Sequence, residues 1–185
     1  MNRRDLLALL GATALSSLTT PLSAEQRLEL GEVIHRRLAG GGQAGQALDP
    51  AQMALVGAVA DTIIPPTDTP GATDVGVPAF VDLLLAEWYT PEERDGFVTG
   101  LDALAARCRE TMGGEFPGLD GPDRERFVAT LDGATGQPGS AEGTYARLKS
   151  LTVYGYFTSR EVQTRVLRTP MLPGRFEGCV PLPVR

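Results

Sequence analysis

Histidine occurs once in this 185-residue chain, at His35, and cysteine twice, at Cys108 and Cys179. That scarcity excludes much familiar chemistry. An HExxH zinc site and a two-histidine facial triad each need more than one imidazole. A Ser-His-Asp triad could recruit only His35, and no GxSxG elbow presents a serine. Two cysteines cannot complete a four-thiolate iron–sulfur site, and without CxxCH no c-type haem is attached. Positive charge is also short: 17 Lys and Arg against 23 Asp and Glu give a formal charge of −6. Such a field repels nucleic acid and anionic lipid. No 20–50-residue period repeats, so the chain is no solenoid.

The first residues carry the clearest signal. Arg3-Arg4 precede an apolar run from Leu6 to Leu18, followed by Thr-Thr-Pro-Leu-Ser-Ala ending at Ala24. A paired arginine before a short, mildly apolar run is the layout of a twin-arginine export signal. As a helix the run reaches only about 20 Å, short of the roughly 30 Å bilayer core. Residues 1–24 therefore read as an export leader and residues 25–185 as a single helical domain. Residue types at the cleavage point are weak, with Leu22 where alanine is preferred. An exported chain reaches an oxidising compartment, where two cysteines usually pair. Cys108 and Cys179 are thus a candidate disulfide. The alternatives are a buried free Cys108 and a bond to another subunit.

Glycine (22) and proline (14) gather in 39–46, 65–78, 113–122, 133–139 and 170–183. Helix-length segments lie between. Residues 25–38 carry a narrow stripe of Leu30, Ile34 and Leu38, with Glu32 and Arg36 spaced to pair. Asp49 is placed to cap a helix with Pro50 at its first position, and Pro65-Pro66 stop it. Pro78 opens a third segment to about Tyr89. Thr90-Pro91-Glu92-Glu93 is a capping box, and the helix it starts places Phe97, Leu101, Leu104 and Cys108 on one face. Further helices run from Pro122 and over 141–157, and Ser159 is placed to cap a last one. The segment 170–185, with Pro170, Pro173, Pro181 and Pro183, has no periodicity and should be extended. No alternating strand pattern appears. The expectation is an all-α, irregular bundle of six or seven helices with long loops.

Three weaker signals read as structure. Gly40, Gly42 and Gly45 satisfy GxGxxG, with Asp61 beyond, but the motif follows a helix instead of a strand and reads as a hinge. Asp68 and Asp74 share a loop too sparse in ligands for calcium and read as turn formers. His35, beside Arg36 and Arg37, reads as a surface or interface histidine. No catalytic, cofactor-binding or metal-binding residue is expected.

The segment 59–82 is distinctive. A helix ending in Ala60-Asp61-Thr62-Ile63-Ile64-Pro65, a Thr67-Asp68-Thr69-Pro70-Gly71-Ala72 loop and a Gly76-Val77-Pro78-Ala79-Phe80-Val81-Asp82 start resemble the gluconate 2-dehydrogenase subunit 3 family. Leu151 to Ser159 resembles a late segment of that family less specifically. The resemblance implies a non-catalytic small subunit of a periplasmic, flavin-dependent sugar or polyol dehydrogenase. FAD and substrate would belong to a large glucose–methanol–choline-type subunit, with electrons passing to a cytochrome c. The small chain would carry the export signal and escort its partner. A free-standing periplasmic enzyme or ligand-binding protein, using the Asp68–Asp74 loop, is the alternative. Helix 25–38, loop 65–77 and segment 170–185 are the expected contact surfaces.

Overall fold

The computed structural model describes residues 24–39 and 47–168. They form helix α1 (Ala24–Ala39), α2 (Pro50–Ile63), α3 (Val77–Glu87), α4 (Pro91–Met112), α5 (Gly121–Leu131) and α6 (Ala141–Thr158). A 3-10 turn, Phe116–Gly118, separates α4 from α5, and a π-helical turn, Val162–Val166, follows α6. No strand occurs among the described residues. The fold is the expected all-α, irregular bundle.

Capping chemistry sets the starts. Before α2, Asp49 Oδ1 accepts the Gln52 N–H (2.8 Å) while Gln52 Oε1 accepts the Asp49 N–H (3.1 Å). Thr90 and Glu93 make the same reciprocal pair at α4, 3.2 and 3.1 Å. Each satisfies two backbone donors that a helix start leaves without partners. Pro50 and Pro91 occupy the first turn, where the missing N–H costs nothing. Asp120 and Ser140 cap α5 and α6. Gly113 ends α4 with φ 76°, a left-handed conformation that side chains resist.

α6 is the hub, packing against every other α-helix and the π turn. Its inward residues Tyr145, Leu148, Leu151 and Tyr156 meet Phe97, Leu101, Leu104 and Cys108 of α4 in one core. That core also takes Val56, Val59, Phe80, Leu83, Leu84, Phe127 and Leu131. Close helix contact follows from small residues: a Cβ on Gly100 would sit 1.8 Å from Thr144 Oγ1.

Two expectations need correction here. The stripe on α1 does core work, because Ile34 is fully buried and the helix lies against α3 and α6. Arg37 pairs with Glu87 of α3 at 2.9 Å, where a Glu32–Arg36 pair within the helix was expected. The Leu30 side chain lies outside the described set. The 3-10 turn was not anticipated: Phe116 is fully buried, its ring 5.6 Å from Phe127, although it sits among prolines and glycines.

Candidate functional site

The distinctive 59–82 segment folds as a hydrogen-bonded knot. Asp61, in the last turn of α2, accepts the Thr73 N–H at 2.9 Å and the Thr73 hydroxyl at 2.5 Å. Asp74 Oδ2 accepts the Gly71 N–H at 2.8 Å, and the Ala72 N–H reaches Ile64 O at 3.0 Å. The Tyr156 hydroxyl of α6 donates to Pro70 O at 2.9 Å. Gly71 lies so close to Pro66 that a Cβ would meet the proline nitrogen at 2.8 Å. Gly76 then leaves the loop with φ 79° and precedes α3. Asp68 caps nothing but takes the Thr67 hydroxyl at 3.0 Å. The acidic residues of this loop are spent on shaping it.

Asp68, Thr69 and Pro70 face Glu161, Arg165, Val166 and Arg168 across an open cleft of about 570 Å³. Arg165 is already paired with Glu161 at 2.7 Å. Among the described residues no aromatic ring lines the cleft, and Tyr156 directs its hydroxyl at the backbone instead. Among the described residues, no group of three or more His, Cys, Asp or Glu side chains could hold a metal ion. Nor is any helix among them long and apolar enough to cross a membrane.

The remaining side chains of the sequence reading fall as follows. Cys108 is fully buried, and burial, helped by the nearby Glu115 charge, pushes its thiol pKa up. A thiol held protonated this way is a poor nucleophile. Arg3, Arg4, Cys179, the Gly40–Gly45 motif and segment 170–185 lie outside the described residues. His35, read as a surface or interface histidine, lies half-buried between helices. Its Nε2 is 2.9 Å from Gly155 O and its ring stacks on Phe80 at 4.9 Å. Burial pulls its pKa below the ordinary value, against the opposing effect of the Gly155 carbonyl.

What sequence reasoning missed is the outward face of α6. Ala146, Ser150, Val153 and Phe157 are all exposed, with Val153 at 40% and Phe157 at 44%. Steps of four, three and four residues put them in one row along the helix. The opposite face is buried in the core, so among the described residues α6 carries large apolar side chains on both sides, Val153 and Phe157 outward. A helix of that kind ordinarily has neighbours all round. The signal lay in the sequence: Val153 and Phe157 are extra to the inward set of Leu148, Leu151 and Tyr156.

These features define an all-α, irregular helical domain: a tightly tied core and, among the described residues, one helix with exposed apolar side chains on its outer face. The chain belongs to the gluconate 2-dehydrogenase subunit 3 family, whose sequence model matches residues 50–174. Comparison with curated proteins and with solved structures gives no match.

Proposed function

We propose that this chain is the non-catalytic small subunit of a flavin-dependent sugar or polyol dehydrogenase complex. It serves as twin-arginine export escort and stabilising partner of a large glucose–methanol–choline-type flavoprotein. FAD and substrate sit in that partner, and electrons leave to a cytochrome c. Arg3 and Arg4 form the export signal, and assembly takes place around a periplasmic destination. The family membership supports the subunit role. The observation that carries it is the open row on α6, which a partner helix laid along it would cover.

Magnitudes fit a contact that works only as part of a larger interface. Covering the exposed parts of Val153 and Phe157 contributes about 1 kcal/mol each. A stable complex therefore needs further area, and segment 170–185 is the natural supplier. Met171, Leu172, Phe176 and Val180 alternate there with prolines that limit the unbound chain's freedom.

The test is co-expression with the large subunit of the dehydrogenase, comparing wild type with Val153→Asp/Phe157→Asp. The expected outcome is an unchanged fold of the small subunit and at least about tenfold weaker association, with normal turnover per flavin in whatever complex survives. Arg3→Lys/Arg4→Lys should strand both subunits in the cytoplasm, since the receptor separates guanidinium from ammonium. Normal recovery of flavoprotein with both variants would overturn the escort role. Slow turnover per flavin in a fully assembled complex would reopen a direct catalytic one.

A further inference from the structure

α1 stands apart from the rest of the bundle. It lies outside the family-matched residues 50–174, yet it covers a groove between α3 and α6. It runs antiparallel to α6, with Gly31 at Thr158 and His35 at Gly155. The approach is intimate at both points. A Cβ on Gly31 would lie 2.3 Å from the Thr158 side chain, and His35 Nε2 is 2.9 Å from Gly155 O; beneath them α6 meets α3 as closely, a Cβ on Gly155 lying 2.8 Å from the Phe80 ring. Against α3, Arg37 pairs with Glu87 and lies over the Trp88 ring at 5.8 Å. The only histidine of the chain is thus sandwiched between Phe80 and the α6 backbone, at the middle of the seam.

We propose that α1 is a clasp latched by neutral His35, and that acid loosens it and uncovers the Phe80–Gly155–Thr158 groove. The inference does not depend on the partner reading above. The reasoning is one of solvation. Nε2–H donating to Gly155 O occupies one ring nitrogen, and the Phe80 face covers one side of the ring. A second proton places a full charge on a half-buried ring from which part of the water has been removed, which disfavours the charged form. Once α1 lifts, the imidazolium is hydrated. Protons therefore bind the open state better than the clasped one.

The charged and titratable groups around the seam do not reverse this. They are Glu32, Arg36 and Arg37 on α1, Asp82 and Glu87 on α3, and Tyr154 and Tyr156 on α6. Asp82 Oδ1 accepts the Ala47 and Leu48 N–H groups, and Glu87 holds Arg37. The forces on His35 are burial, which lowers its pKa, and the Gly155 carbonyl, which raises it by less. The sign follows. The free-state value is 6.5 and the clasped value lies lower. The latch is fully set above 6.5, weakens as pH falls from there to the lowered value, and is constant below it.

The molecule carries its own reporter, because its single tryptophan, Trp88, is 7% exposed beneath Arg37 of α1. Emission of Trp88 in the full chain should shift to longer wavelength as pH drops from 8 to 5, with amide exchange accelerating across 31–39 and not across α4. His35→Gln keeps a donor for Gly155 O without a titrating ring, and His35→Phe keeps the stack on Phe80. Both should give a flat pH profile. Glu87→Gln controls for the other acid-sensitive contact on the seam and should keep the wild-type profile. Wild-type emission that ignores pH, or a pH response that survives in either His35 variant, would overturn the latch. So would its loss in Glu87→Gln, which would assign the response to the Arg37 pair.

Discussion

α4 and α6 lie against each other over much of their length, yet they finish their outer faces in opposite ways. Outward on α4 are Glu92, Glu93, Asp95, Thr99, Asp102, Arg109 and Glu110, a surface complete in water. Outward on α6 are Ala146, Ser150, Val153 and Phe157. Inward, both are equally committed: Leu101 and Leu104 on one and Leu148 on the other are fully buried. The difference teaches that burial among the described residues does not account for the composition of α6. Its inner half is explained by the core, and its outer half is left exposed among the described residues.

The comparison is sharpened first at the shared core. Leu104→Ala and Leu148→Ala should each cost about 3 kcal/mol, the lost transfer energy plus the cavity left behind. Denaturant midpoints should fall alike for both, with unchanged slopes. A much smaller loss for Leu148 would mean that α6 is held from outside even in the isolated chain.

Next comes the seam between them. Gly100→Ala should cost about 2 kcal/mol, because the new methyl runs into Thr144, and overpacking forces a backbone shift. Its Cβ would lie 2.8 Å from Thr144 Cβ as well as against the hydroxyl. Adding Thr144→Ala should therefore return part of the loss, and not all, in a double-mutant cycle.

A smaller effect is electrostatic. Glu142, in the first turn of α6, has its pKa lowered by its own backbone N–H first and by Arg107 of α4 after that, with burial opposing. A depressed acid stabilises the fold above the ordinary carboxylate value and stops doing so as pH falls through the lowered one. Glu142→Gln should therefore flatten the acid limb of the stability–pH curve while leaving neutral behaviour nearly unchanged. A melting series from pH 3 to 7 checks it.

The smallest effect on stability is the most informative about the outer face. Phe157→Ser and Val153→Ser should change the unfolding free energy by less than about 0.5 kcal/mol. A loss of 2 kcal/mol at either position would show that the row is covered within the chain.

Much of this arrangement was legible before any coordinates. Asp49 and Thr90 start helices because short polar side chains satisfy backbone donors locally, and local chemistry is visible in sequence; Asp120 and Ser140 do the same without having been singled out. The inner face of α4 was readable for a similar reason: Phe97, Leu101, Leu104 and Cys108 repeat at helical spacing against a polar background. α6 was harder because apolar residues on both sides blur any single stripe, so Phe157 could not be separated from Tyr156. Phe116 was hidden by its Pro-Gly neighbours, which mark a loop without telling that its ring plugs the core. For His35 the sequence left surface and interface open, because flanking arginines suggest solvent while the ring's contact, Phe80, lies 45 residues away. The 59–82 motif was readable as a family signature, but its role as a knot around Asp61 and Pro70 depends on contacts with α6 that spacing does not encode.

Asp82 gives the molecule a mechanical property. Its buried carboxylate holds the Ala47 and Leu48 N–H groups at 3.0 and 2.9 Å, just where the chain re-enters the body ahead of α2. Charge-assisted bonds of this kind are about twice as strong as neutral ones. A displacement of the backbone at Ala47 and Leu48 is therefore resisted by α3 through Asp82 before it reaches the first turn of α2.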